Sequence, residues 1–397
     1  TVLARTAYRA LEIMGPVYGR EIFDRVGQLW GKRVLQIFRC RLIVRGDEKL
    51  SDLPPGKIIL VFNHKSHIDF ILNFFALSSV RLQARGGGTR DIHPRYLAAK
   101  DHFLNNKFVY QGIGLGRLIE AMDMIFVDRK GKGTGAIFEA CETLVKKEVE
   151  MAIYPQGTRA YGNKGWDGER RDAGYYTTGS RESLKRPLGH LKKGAAYLAV
   201  DTALCAASQN IPVHLVFIGI EGAGTVAPKG SFAVQTETTV TFTVGGVETI
   251  QPEQVAGLVK PVNNEAVSEE EKKYLQLIQE TLVKIDNGLI AALRLHEKLA
   301  NRFLNDAKEH RLVPMESLFS IKRNLNSSVF PLIDRIYALS RKEWRQHLTE
   351  LARLLSVSSP STLALQGLND RVVEQLVHAR GKESKKYVIT EKKRVGM

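Results

Sequence analysis

At 397 residues the chain has room for one large domain and a smaller one, and 58 Lys and Arg against 42 Asp and Glu leave a formal net charge of +16. That balance points to an anionic partner: nucleic acid, an anionic membrane or an acidic carrier. No helix-turn-helix, zinc or RNA-binding pattern appears, so nucleic acid is not expected. No run reaches the roughly 18 apolar residues that cross a bilayer.

The first 45 residues carry Phe23, Val26, Trp30, Val34, Ile37 and Phe38 at helical spacing among Arg20, Arg25, Lys32, Arg33, Arg39 and Arg41. This is an amphipathic helical segment that either lies in a membrane interface or packs on the protein's own core. Lys57–Phe62 is β-branched and apolar, the pattern of a buried strand. It ends at Asn63, a residue suited to capping, and Ile68–Leu77 then has the pattern of a helix. His64 falls at the strand-to-helix turn and Asp69 in the first helical turn. A carboxylate at that spacing orients an imidazole as a general base near neutral pH. Backbone amides at the helix start are candidates for holding an oxyanion. Ser66 caps the turn or contacts substrate. His67 lacks an acid at the same spacing and is taken as a neighbour.

Further along, Pro94–Leu97 leads to Ala99-Lys100, and Met124–Val127 leads to Asp128-Arg129. Met151–Tyr154 leads to Pro155-Gln156-Gly157-Thr158-Arg159, and Leu191-Lys192-Lys193-Gly194 follows after a gap. A glycine turn with an arginine just beyond it can grip a phosphate, and Arg129 and Lys100 would add charge. For each of these cations the alternative is a surface salt bridge. Ile211–Gly219 is an apolar strand containing Ile211-Pro212-Val213, with Pro228-Lys229-Gly230-Ser231 beyond it.

Taken in order from about Leu42 to Ile250, these segments resemble the 1-acylglycerol-3-phosphate and glycerol-3-phosphate O-acyltransferases, within the lysophospholipid acyltransferase superfamily. The family's blocks are N-H-x-S-x-x-D, a strand ending in D-R, F-P-E-G-T-R, and an apolar strand with I-P-V. The resemblance implies His64 and Asp69 as the catalytic pair. It implies substrate binding by Asn63, Ser66, Lys100, Arg129, Gly157, Thr158, Arg159 and Lys193. It also implies a phosphorylated glycerolipid acceptor and an acyl thioester co-substrate, acyl-CoA or acyl-carrier protein, with no cofactor and no metal. The chain departs from the family at Gln156, where glutamate is usual, which removes a negative charge near the phosphate site. It departs again in the long basic stretch 160–190, a lid, a docking loop or a plain surface loop. The glycine-rich segment Arg85–Arg90 could border the same cleft.

After Pro261 the pattern changes. Ser268–Glu271 resembles a capping box, and Leu275, Ile278, Leu282, Ile285, Leu289 and Leu293 form a helical stripe. That stripe would bury in a C-terminal bundle or on a helical partner. Pro314–Gln375 adds helices with Phe319, Phe330, Ile333, Ile336 and Trp344, and the charged tail has the composition of a flexible segment. Cys40, Cys141 and Cys205 lack metal spacing and are expected to be buried thiols in a reducing compartment. There is no secretory signal pattern, and a start at Thr1 suggests processing or an incomplete chain.

The expected architecture is α/β: a mixed β-sheet flanked by helices, with an N-terminal amphipathic segment (1–45), a catalytic domain (46–260), a C-terminal helical domain (261–379) and a basic flexible tail (380–397). The expected function is O-acyl transfer to 1-acylglycerol 3-phosphate, giving phosphatidic acid, on the cytoplasmic face of an anionic membrane without a transmembrane span. Glycerol-3-phosphate acylation is the alternative within the class. A non-catalytic lipid-surface or scaffold protein is the alternative outside it.

Overall fold

The computed structural model of the chain describes residues 2–64, 66, 68–99, 124–127, 134–157, 191–227, 236–261, 268–326, 328–337, 339 and 341–395. It divides into two units, Thr1–Arg159 with Leu191–Leu293, and Ala160–His190 with Arg294–Met397.

The first unit is built on strands β1 (Arg41–Arg45), β2 (Lys57–Phe62), β3 (Arg81–Gln83), β4 (Thr89–Asp91), β5 (Pro94–Ala99), β6 (Ile125–Val127), β7 (Glu150–Ile153), β8 (Val213–Glu221) and β9 (Thr239–Ile250). The pair β3–β4 is an antiparallel hairpin whose tip is the Gly86–Gly88 segment. The other seven form one sheet in the order β1-β9-β8-β2-β7-β5-β6. Pairing is parallel except between β8 and β9, so the sheet is mixed, as the sequence predicts. All six residues of β2 are buried, because a strand between β7 and β8 has neighbours on both edges and covered faces. The parallel strands β2, β7, β5 and β6 end along one edge of the sheet. In α/β sheets that edge is where ligands bind.

Helices α1 (Val2–Ile37), α2 (Asp69–Ala76), α3 (Thr134–Lys146), α4 (Gly194–Ala207) and α5 (Glu269–Ala292) flank the sheet. Helix α1 packs on α2, α3 on α4, and α5 on α4, β8 and β9. The α1 contact decides between the two readings of its stripe. Val26, Trp30, Val34 and Phe38 pack into the core, and of the stripe Ile37 stays open at 70% exposure. Close approach is possible because Gly27 and Gly31 face α2. A Cβ at Gly31 would lie 2.7 Å from Phe75 Cβ and 2.8 Å from the Ile71 carbonyl oxygen. Phe23 carries no described side chain.

The stripe on α5 is also core, with Ile278, Leu282, Ile285 and Leu289 buried. It buries on α4 and the sheet face, not in a C-terminal bundle, because β8 and β9 offer an apolar surface that only a helix can cover. Ser268 accepts from the Glu271 N–H at 3.2 Å and Glu271 accepts from the Ser268 N–H at 2.9 Å, the capping box read from the sequence. Of the cysteines, Cys141 is buried, Cys40 is partly buried and Cys205 is exposed, so the expectation of three buried thiols holds for one.

The described residues of the second unit are helical: α6 (Leu295–Glu309), α7 (Ser317–Asn324), α8 (Phe330–Tyr337), α9 (Arg341–Ser356) and α10 (Thr362–Val395). Leu299, Phe303, Ile321, Ile333, Ile336, Leu351 and Leu368 form its interior, while Phe319 is 75% exposed. Residues 380–395, expected as a loose tail, continue α10. Lys, Glu and Arg are good helix formers and no proline interrupts them.

Candidate active site

Strand β2 delivers the chain to the C-terminal edge of the sheet, and Asn63 fixes where it leaves. Its side-chain amide donates to the Ile220 carbonyl at 2.9 Å and its oxygen accepts the Ile220 N–H at 2.6 Å. Asn63 therefore ties the end of β2 to β8 and does not cap α2, whose N-cap residue Ile68 makes no side-chain capping bond. Ser66 Oγ donates to the Ala227 carbonyl at 2.8 Å and accepts the Ile68 N–H at 3.3 Å. Asn63 and Ser66 are both fully buried, and their side chains form the framework of the turn.

That framework brings the expected pair together. His64 Nδ1 lies 2.9 Å from Asp69 Oδ2, with Asp69 fully buried and the His64 side chain 22% exposed. The same carboxylate oxygen accepts the Ser66 N–H at 2.9 Å. A carboxylate accepting at Nδ1 holds the proton there and leaves the Nε2 lone pair available. Its position in the first turn of α2 also sets it in the favourable field of the helix N-terminus.

The loop after β7 closes on His64 from the other side. Gln156, 8% exposed, accepts the His64 backbone N–H at 2.7 Å through its side-chain oxygen. The Tyr154 ring lies against the imidazole with centroids 4.5 Å apart and planes tilted by 33°. The Tyr154 hydroxyl accepts from Asn73 Nδ2 of α2 at 2.9 Å. Burial, then the neighbouring Tyr96 and Asp69, hold the Tyr154 phenol well above its usual pKa. Sequence spacing missed Tyr154 and Asn73. The available signal was Asn73 itself, an amide inside an apolar helix and one turn beyond Asp69.

The oxyanion expectation changes. The N–H groups of His64, Ser66 and Ile68 are all engaged by side chains at the turn. Gly157 adopts φ +66°, the left-handed conformation that glycine tolerates, and its N–H donates to the Tyr154 carbonyl at 3.0 Å. That amide closes the turn. Lys192 joins the same turn, its N–H donating to the Pro155 carbonyl at 2.7 Å. Its side chain runs past Gly157, with Cγ 3.2 Å from where a Cβ would stand. The expected cation Lys193 is exposed at the N-cap of α4. It is the preceding lysine that touches the turn. Lys100, Arg129, Thr158 and Arg159, with His67, the 160–190 stretch and Pro228–Ser231, lie outside the described residues. The strands leading to Lys100, Arg129 and Arg159 end on the same edge as β2.

A protein-family model described as Acyltransferase matches residues 41–219, the span from β1 through most of β8 that contains the His64–Asp69 pair. The turn after β2, with His64 and Asp69, lies inside this matched span of 179 residues out of 397. No match was found among curated proteins. Among solved structures, the 1-acyl-sn-glycerophosphate (LPA) acyltransferase PlsC from Thermotoga maritima is similar over 68% of this chain and 81% of that one, at 17% identity and a TM-score of 0.38. A likeness that loose carries no residue correspondence to this chain.

Proposed function

We propose that the acyltransferase domain moves a fatty acyl group from an acyl thioester, acyl-CoA or acyl-carrier protein, to the free hydroxyl of 1-acylglycerol 3-phosphate, forming phosphatidic acid. The observation that carries this reading is the 2.9 Å contact between His64 Nδ1 and the buried Asp69 carboxylate. Nε2 of His64 takes the acceptor's hydroxyl proton as that oxygen attacks the thioester carbonyl. Asp69 stabilises the imidazolium that forms. The tetrahedral intermediate then expels the thiolate, which leaves as the free thiol with the proton from His64. Acyl transfer is direct. Burial pushes the Cys141 thiol up to about 12, which keeps it protonated and a poor nucleophile. The step calls for no metal or cofactor.

Lys192 at the Gly157 turn, with Lys100, Arg129 and Arg159, is proposed to receive the acceptor's phosphate. The outer face of α1 exposes Leu29, Lys32, Arg33 and Ile37, a mix of apolar and basic groups suited to an anionic lipid surface. No helix among the described residues is long and apolar enough to cross a membrane. We propose peripheral association at the cytoplasmic face of an anionic membrane through this face of α1.

Thiol release from a long-chain acyl-CoA tests this, with lysophosphatidate and glycerol 3-phosphate as separate acceptors and anionic vesicles present. Release that depends on lysophosphatidate and is lost in His64→Ala supports the reading, and release with glycerol 3-phosphate alone moves the acceptor. If neither acceptor responds with acyl-CoA or acyl-carrier protein, the enzyme reading gives way to a lipid-surface or scaffold role.

A further inference from the structure

Asp69 and Asn73 stand one helical turn apart on α2, and both are fully buried. Each serves His64 by a different route. Asp69 binds Nδ1 of the imidazole directly. Asn73 binds the Tyr154 hydroxyl, and the Tyr154 ring lies against the imidazole. Behind that ring stand Phe62, with centroids 5.6 Å away, and Tyr96, stacked at 6.5 Å.

A single hydrogen bond at Nδ1 fixes one point of an imidazole but not its plane. The ring can still swing about the Nδ1···Oδ2 line, which carries Nε2 away from the acceptor. A second contact on the ring face removes that freedom. We propose that Tyr154, tethered by Asn73, is a positioning residue that sets the plane of the His64 imidazole for proton abstraction. This rests on the reading of His64 as general base. A phenylalanine would give the same face, and the tyrosine hydroxyl adds an anchor. Buried without a partner it would be unfavourable, and with Asn73 it pins the ring to the helix that holds Asp69.

Tyr154→Leu, Tyr154→Phe, Asn73→Leu, the double variant Tyr154→Phe/Asn73→Leu and His64→Ala test the assignment, each with kcat and KM for donor and acceptor and a thermal melt. Losing the ring is expected to lower kcat about 30-fold with both KM values unchanged, on the scale that small misplacements of a reacting group produce. Tyr154→Phe keeps the ring but loses the tether and should lower kcat about threefold, as should Asn73→Leu, and the double variant should be no worse than either single one. Wild-type kcat in Tyr154→Leu, a loss confined to KM, or equal losses in the Leu and Phe variants would overturn the positioning role. If Tyr154→Leu does not fold, the tether variants decide: shared losses support the role and additive ones refute it. Transfer surviving in His64→Ala would remove both the base and its positioning residue. A dead His64→Ala beside an unaffected Tyr154→Leu would remove the latter alone.

Discussion

The side-chain oxygen of Gln156 accepts the backbone N–H of His64 at 2.7 Å, although 92 residues separate the two along the chain. A glutamate, the residue that the family resemblance leads one to expect at 156, has the geometry to accept the same bond and would add a charge.

Gln156→Leu should lower kcat by about tenfold, because the His64 N–H loses its acceptor and the turn that carries the imidazole loosens. Steady-state kinetics check this, and a variant with wild-type kcat would show that position 156 does not hold the base in place.

Asp69→Asn should lower kcat by about a thousandfold or more, the scale seen when an imidazole base is left in the wrong tautomer. An asparagine amide facing Nδ1 donates where the carboxylate accepts, which puts the imidazole proton on Nε2. Steady-state kinetics check this, and a variant within tenfold of wild type would contradict the tautomer assignment.

Gly31→Leu should destabilise the first unit by about 1–3 kcal/mol, the usual range for overpacking. The new side chain would begin 2.7 Å from Phe75 Cβ, so α1 must lift from α2. Because α2 carries Asp69 and Asn73, kcat should fall along with the denaturation midpoint. A stable variant with unchanged kcat would mean that α1 does not brace the catalytic helix.

His214 is 1% exposed, with Nδ1 2.9 Å from Thr249 Oγ1 and Nε2 3.1 Å from the Pro54 carbonyl. Burial lowers its pKa below the usual 6.5, the Pro54 bond opposing that shift. Below pH of about 6.5 the unfolded chain therefore binds a proton that the native state refuses, and stability falls with pH at up to about 1.4 kcal/mol per unit until the native pKa is reached. Denaturant unfolding across pH 4.5–8 should show this slope diminished in His214→Asn. Identical slopes would show that His214 charges freely in the folded protein.

Much of the local structure was legible in the residues. β2 spans Lys57–Phe62 because five consecutive apolar residues after Lys57 suit a strand covered on both faces, and the His64–Asp69 spacing fixes their contact once a strand feeds a helix. What escaped is non-local. Asn63 looks like a cap until β8 arrives beside it, and only the pairing of β2 with β7 puts Gln156 and Tyr154 within reach of His64. The α1 stripe suits a membrane or a core equally well in sequence. Its destination was settled by two glycines that let α2 come close.

The order of the strands bears on how activity returns after unfolding. His64 and Asp69 are near neighbours in the chain and can meet as soon as one turn and one short helix form. Gln156 and Tyr154 arrive only when β7 docks beside β2, a long loop closure of the kind that slows folding. In a refolding experiment the helical signal should therefore recover first, and acyl transfer should reappear only with the assembled sheet.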